Sequence, residues 1–257
     1  MTKGMRIGIL TALYLLGMFF VGVQPVRFML SNQFHGLLPY RGDDESMYLI
    51  RLQEGLAHPF TGTVSNGIWS QGTVAPGLQQ SGLETIVGIL FAWTGLTAPF
   101  VALIVMLLVA PLTLIFAIQL TRRAGVPFVI SCITGVAFFV IVGFARRYVH
   151  FGWSLPITLG TILLLWHFYT DPTPRRALVA GIAMGCLPYV YLWSWTFVWP
   201  FAACLSACLF LGISHAPKRE WKGSVVLWCT AFIVASFAFA TLIHLSQSPL
   251  YQEASIR

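Results

Sequence analysis

The chain has 257 residues, of which 57% are hydrophobic and only 9% are charged, and its formal net charge is +7. A soluble domain carries about 25% charged residues, so this composition excludes an ordinary soluble globular protein. The basic residues stand in short clusters between apolar runs and form no basic and aromatic patch on a soluble face. The positive charge therefore does not indicate nucleic acid as a partner.

Several apolar runs are long enough to cross a bilayer as helices, and a helix satisfies its own backbone hydrogen bonds in lipid. The sequence therefore predicts an all-α polytopic membrane protein with about seven transmembrane helices, folded as a single transmembrane domain over residues 1–257. We expect one long outer loop, residues 25–96, that contains juxtamembrane helices. The predicted spans are residues 6–24, 97–120, 125–145, 154–169, 177–195, 197–214 and 224–244.

The first apolar run follows a basic start, as in a secretory signal peptide. The run from Ile7 to Val23 is long for the apolar part of a signal peptide, however, and no small-x-small cleavage site follows it. We therefore expect this segment to be a retained transmembrane helix.

The charges between the predicted spans indicate the orientation. Nine of the 15 basic residues fall on one side of the map, and the positive-inside rule assigns that side to the cytoplasm. We therefore predict an integral protein of the cytoplasmic (inner) membrane, with a cytoplasmic N-terminus and with loop 25–96 on the outer, periplasmic side. The nine residues are Lys3, Arg6, Arg122, Arg123, Arg175, Arg176, Lys218, Arg219 and Lys222.

The segment "SGLETIVGILFAWTG", residues 81–95, tests this map because it is apolar but short. If it crossed the membrane, Arg122 and Arg123 would move to the outer side and every later cluster would invert. We therefore predict a juxtamembrane helix at the outer interface that ends at Gly95. A short helical hairpin within the loop is the alternative.

The outer loop opens with three consecutive acids, Asp43, Asp44 and Glu45, although the whole chain has only eight. An amphipathic helix is predicted directly after them, ended by Gly55 and Pro59. One aspartate could cap this helix, but a cap does not need three carboxylates. Adjacent aspartates favour a cation or an incoming hydroxyl as a neighbour. The predicted apolar face consists of Tyr48, Leu49, Leu52 and Leu56, with Arg51, Gln53 and Glu54 around the rest.

This arrangement of one helix and a long outer loop that opens with an acidic pair resembles the GT-C fold glycosyltransferases, including the protein mannosyltransferases and the aminoarabinose transferases. The acidic motif of that family corresponds to Gly42, Asp43, Asp44, Glu45 and Tyr48. The segments "GLQQSGLETIVGILFAWTGL", "ARRYVHFGWSLPITLG" and "RRALVAGIAMGCLPYVYLWSWTFVWP" also resemble parts of these enzymes. The similarity is diffuse and covers nearly the whole chain.

The resemblance implies an inverting transfer of a sugar from a polyprenyl-phosphate carrier to a glycan, lipid or protein acceptor, with membrane lipids as surroundings. It places the general base at Asp44, with Asp43 as the alternative. A divalent metal such as Mg or Mn, if the enzyme uses one, would bind Asp43 and Asp44. Glu45, Tyr48, His150 and Glu84 are possible supporting residues, and helix capping is the other interpretation of Glu84.

Arg146 and Arg147 are the candidates for binding the phosphate of the donor, because they fall on the outer side against the positive-inside bias. Their alternative role is contact with lipid headgroups. Arg41 and Arg51 are alternative partners for the acids.

The number of predicted spans separates the chain from that family. Its members usually have around a dozen spans, so this chain resembles a truncated N-terminal part, and the activity of the shortened chain is an open question. The alternatives are a transporter or permease fragment and a non-catalytic membrane assembly protein. No predicted span carries an acid at mid-membrane, which argues against a transporter.

Aromatic residues are frequent around the junction of the fifth and sixth predicted spans. Such residues form a belt at a membrane interface, and stacking on a sugar or a prenyl chain is the alternative. The residues concerned are Tyr189, Tyr191, Trp193, Trp195 and Trp199.

Overall fold

In a computed structural model of the chain, the described residues are 2–31, 43–58, 82–142, 150–190, 192–211 and 221–246. Only the helical backbone is described for residues 29, 43–47, 82, 142, 150, 151, 192, 193, 209, 221, 241, 242 and 244–246. These ranges contain helices and short turns and no strand, so the predicted all-α fold class is confirmed. A short 3-10 helix covers Ala92–Thr94. The α-helices are α1 (Lys3–Met29), α2 (Asp43–Ala57), α3 (Gly82–Phe91), α4 (Ala98–Arg123), α5 (Phe128–Val142), α6 (His150–Thr170), α7 (Pro174–Val190), α8 (Leu192–Phe210) and α9 (Trp221–Ser246).

Three of the described helices are long and apolar enough to cross a bilayer, over Lys3–Phe28, Ala98–Arg123 and Lys222–Ala240. Shorter apolar helical segments cover Leu83–Thr94, Phe128–Ile141 and Ser194–Cys208. The chain therefore has the helices of a membrane protein. Each predicted span coincides with a described helix, but seven crossings stay a prediction.

The junction between the fifth and sixth predicted spans lies earlier than predicted. α7 ends at Val190 and α8 begins at Leu192, so Trp195 belongs to α8. The sequence is continuously apolar across this region, and it therefore carries no hydropathy signal that would mark a helix boundary.

The chain divides into two compact units. Unit 1 comprises residues 1–73 and 84–159, and unit 2 comprises residues 74–83 and 160–257. Unit 1 therefore contains α1, α2, α4, α5 and most of α3, and unit 2 contains α7, α8 and α9.

In unit 1, α1 packs against α4 through close contacts at small residues. The Tyr14 hydroxyl donates a hydrogen bond to the Leu108 carbonyl at 2.7 Å. A Cβ atom added at Gly17 would lie 3.2 Å from Pro111 Cβ. Small residues at these positions let the two backbones approach closely, as in membrane helix pairs.

The contacts show that α1 and α4 are antiparallel. Gly22, towards the end of α1, lies against Leu107, whereas Arg6 near its start and Arg122 at the end of α4 share the ring of Phe128. If both helices cross the bilayer, an even number of crossings lies between them. α3 therefore does not cross alone, which agrees with an interfacial helix and also with the helical-hairpin alternative.

In unit 2, α7 packs closely against α9. A Cβ atom added at Gly181 would lie 2.6 Å from the Leu227 carbonyl oxygen, and one added at Gly185 would lie 2.7 Å from the Ala231 carbonyl oxygen. The Tyr189 hydroxyl donates to the Val234 carbonyl at 2.8 Å. Glycine is needed at both positions because any side chain would collide with the α9 backbone.

Trp199 is the centre of an aromatic cluster inside unit 2. Its indole Nε1 donates to the Met184 carbonyl at 3.0 Å, and its side chain is buried. The rings of Trp195, Trp228, Phe232 and Phe239 surround it edge-on, with centroids 5.1–6.2 Å away. The Trp199 side chain therefore belongs to the core of unit 2.

Candidate active site in the first loop

Within the described part of the chain, helix α2 covers Asp43–Ala57, so Asp43, Asp44 and Glu45 are helical. The predicted helix after the acids is confirmed. The helix continues past Gly55, which packs against α3, and ends at Ala57, before Pro59.

The predicted apolar face of α2 is confirmed as the buried face. Tyr48, Leu49, Leu52 and Leu56 are all buried, with exposed fractions between 0% and 9%. This face packs against α4 and the short 3-10 helix. Apolar burial therefore holds α2 against the rest of unit 1.

The position of Arg51 differs from the prediction. The periodicity places Arg51 outside the apolar face, but its side chain is only 1% exposed, and that of Glu84 on α3 is 0% exposed. The two opposite charges attract each other across the α2–α3 contact. The Arg51 guanidinium also lies 5.7 Å from the centroid of the Tyr48 ring, within cation–π range.

Two glycines permit this arrangement. A Cβ atom added at Gly88 would collide with the backbone carbonyl of Gly55, and one added at Gly55 would lie 3.0 Å from the Glu84 carbonyl oxygen. The backbones of α2 and α3 are therefore in direct contact. This close approach encloses the side chains of Arg51 and Glu84, which stand one helical turn before the glycines.

Burial lowers the pKa of the Arg51 guanidinium below its ordinary value, and the charges of Glu84, Tyr48 and Glu54 oppose this shift. Desolvation is the larger effect, so the ionised side chain costs free energy of folding even with its partners present. The cost would rise if Glu84 lost its charge.

Gln53 connects α2 to the beginning of α4. Its side-chain oxygen accepts a hydrogen bond from the backbone N–H of Ala98, the first residue of α4, at 3.2 Å. Thr97, at the N-cap of α4, makes no capping bond with its side chain. Gln53 therefore satisfies one of the free N–H groups at the start of α4.

The other predicted site residues lie largely outside the described part of the chain. Arg146 and Arg147 fall in the undescribed residues 143–149, and His150 begins α6 with only its backbone described. Of Asp43, Asp44 and Glu45 the helical position is known. The predicted proximity of the acids and the arginines therefore stays a prediction.

Tyr48 and Glu84, the two described supporting candidates, are brought together around Arg51. Glu84 stands in the first turn of α3, as helix capping requires, and it also lies inside the fold. Within the described ranges, no three His, Cys, Asp or Glu side chains converge as a metal site. A metal held by Asp43 and Asp44 stays a prediction.

Comparisons with protein-family models, with curated proteins and with solved structures find no match to this chain.

Sequence reasoning missed the Arg51–Glu84 pair, although the sequence carries a signal for it. Arg51 precedes Gly55 by four residues, and Glu84 precedes Gly88 by the same spacing. A charge and a glycine four apart share one helix face. When two such helices pack through their glycines, the opposite charges one turn away can also come into contact.

Proposed function

We propose that this chain is a membrane glycosyltransferase, which transfers a sugar with inversion from a polyprenyl-phosphate carrier to an acceptor. The reaction takes place at the outer face of the cytoplasmic membrane. The observation that supports the proposal is the attachment of the acids: Asp43, Asp44 and Glu45 lie on helix α2, whose apolar face is buried in unit 1.

This packing suits catalysis because it fixes the helix backbone that carries the acids. Helix α2 is held by its apolar face and by the hydrogen bond from the Ala98 N–H to the Gln53 side chain. A catalytic group gains from such support because small displacements reduce rates strongly.

The proposed chemistry is a single displacement. The hydroxyl oxygen of the acceptor attacks the anomeric carbon of the donor sugar, and its proton passes to the carboxylate of Asp44. The bond between the anomeric carbon and the phosphate oxygen breaks, and its electron pair leaves with polyprenyl phosphate. Arg146 and Arg147 are proposed to stabilise the charge on that phosphate.

The test is transfer of labelled sugar from a panel of polyprenyl-phosphate-linked hexoses and pentoses to cell-envelope acceptors by the purified chain. We expect Asp44→Asn to lower the rate by about a hundredfold or more, the range for loss of a general base. Asp43→Asn should have a smaller effect.

Asp171→Asn is the matched control, because it makes the same chemical change at an exposed carboxylate in unit 2. Its transfer rate should equal that of the unchanged protein. Equal rates for Asp44→Asn and Asp171→Asn would contradict the catalytic assignment. No transfer by the unchanged chain with any donor would favour a non-catalytic assembly role.

A further inference from the structure

A second group of charged residues lies in unit 1, at the end of the α1–α4 pair where α1 begins and α4 finishes. The Arg6 guanidinium lies 6.0 Å from the centroid of the Phe128 ring, and the Arg122 guanidinium lies 5.4 Å from the same centroid. The two cations are therefore no more than about 11 Å apart. All three side chains are half-buried.

Local electrostatics does not explain this arrangement. Arg6 stands near the positive N-terminus of α1, where a cation is unfavourable, and no acid occupies the first turn of that helix. Among the residues that the structure describes, neither Arg6 nor Arg122 forms an ion pair with a carboxylate. The Nε atom of Arg6 is buried, and no described group bonds it.

Two like charges beside one ring repel each other, and the repulsion is stronger at a low-dielectric surface than in water. An anion between them would remove this cost. The backbone N–H groups of the first turn of α5, which begins at Phe128, favour the same charge. Cationic side chains and a helix N-terminus therefore act in the same direction at this point.

The chemistry of the two side chains selects the class of anion. Guanidinium groups bind phosphate oxygens through paired hydrogen bonds, with a geometry that an ammonium group does not offer. Phe128 supports both guanidinium groups through its ring face or edge and leaves their N–H groups free to bond a ligand. Basic pockets between transmembrane helices bind the headgroups of anionic lipids.

We propose that Arg6, Arg122 and Phe128 form a binding site for a phosphoryl group at the end of the α1–α4 pair. The phosphoryl group belongs either to an anionic phospholipid of the adjacent leaflet or to a soluble phosphate compound. The proposal of this site does not depend on the proposed sugar transfer. The site lies at the opposite end of α4 from Ala98, which contacts α2.

The experiment uses the full-length chain in nanodiscs of phosphatidylcholine with and without phosphatidylglycerol, and native mass spectrometry counts the lipids that stay bound. We expect phosphatidylglycerol to be retained preferentially. Arg6→Gln and Arg122→Gln should each weaken its retention about tenfold, the loss expected for one charge-assisted contact. Competition with inorganic phosphate and with glycerol 3-phosphate identifies the source of the phosphoryl group. If these compounds displace the bound lipid, the site binds a soluble phosphate compound, and if the lipid stays bound, the site binds a phospholipid of the leaflet.

Arg175→Gln is the control, because it removes one exposed positive charge from unit 2 without touching Phe128. It should leave retention unchanged. If a glutamine variant fails to fold, Arg6→Lys is the second test of the site. Lysine keeps the positive charge but lacks the planar guanidinium with its paired N–H donors, so retention of phosphatidylglycerol should fall about threefold. The proposal is overturned if neither lipid nor soluble phosphate binds, or if Arg175→Gln weakens binding as much as Arg6→Gln.

Discussion

Among the described residues, Arg51 is the one fully buried cation and Glu84 the one fully buried carboxylate. Their enclosure is made possible by Gly55 and Gly88, which bring the backbones of α2 and α3 into contact. Because burial lowers the pKa of Arg51, the folded pKa lies below the unfolded value. At any pH below the folded pKa the protonated side chain therefore costs free energy, and Glu84 reduces that cost.

We predict opposite results for breaking this pair and for removing it. Glu84→Leu leaves Arg51 buried without its carboxylate and should lower the free energy of unfolding by about 3–5 kcal/mol. Adding Arg51→Met should recover most of this loss, because an apolar pair of similar volume carries no desolvation cost. Equilibrium unfolding in detergent micelles, followed by tryptophan fluorescence, measures both changes.

The control for this cycle is the exposed ion pair of Arg176 and Asp171 in unit 2. Asp171→Asn should lower the free energy of unfolding by less than about 1 kcal/mol, since water screens an exposed pair. A cost for Glu84→Leu as small as that of Asp171→Asn would show that the pair is not enclosed in the folded protein.

At the scale of the elements, glycines decide where the helices touch. Gly55 and Gly88 join α2 to α3, Gly17 lets α1 approach α4, and Gly185 lets α7 approach α9. A glycine within a helix lowers its intrinsic stability by about 1 kcal/mol relative to alanine. Closer packing between the helices is what offsets this loss.

Gly88→Ala should separate α2 from α3, because the new methyl group would collide with the Gly55 carbonyl and a backbone atom cannot rotate away. We expect the free energy of unfolding to fall by about 1–3 kcal/mol, the range for an overpacked contact. Thermal unfolding in detergent measures the change. Gly8→Ala in α1, where a Cβ atom would meet nothing within 4 Å, should cause no loss. Equal effects of the two substitutions would mean that α2 and α3 do not touch.

At the scale of the whole molecule, the chain divides into two compact units, each with its own tightly packed helix pair. In unit 1 that pair is α1 and α4, which are antiparallel and both long and apolar enough to cross a bilayer. Their arrangement places Thr2 and Ala124 at one end of the pair and Thr97 at the other.

Labelling of single cysteines with a membrane-impermeant maleimide checks this topology. In a background without the five native cysteines, Thr2→Cys and Ala124→Cys should label in inverted vesicles only. Thr97→Cys should label in right-side-out vesicles only, because the positive-inside rule places the basic ends in the cytoplasm. Labelling of all three positions from the same side would contradict crossing by α1 and α4.

The sequence by itself determined the helical fold class, the position of every described helix to within several residues and the buried face of α2. Hydropathy and helical period carry that information locally: Tyr48, Leu49, Leu52 and Leu56 repeat at helical spacing, and all four are buried. It also identified the three consecutive acids that α2 carries. It could not mark the α7–α8 boundary, because the apolar composition does not change there.

Only the tertiary structure decided which charged and aromatic side chains lie inside. Arg51 has the sequence environment of an exposed residue, and its enclosure depends on Glu84 more than thirty residues away. Arg6 and Arg122 look like ordinary topology signals until one ring, Phe128, is found beside both. Hydropathy depends on neighbours along the chain, whereas electrostatic partners are set by which helices touch, and that contact exists only in the folded protein.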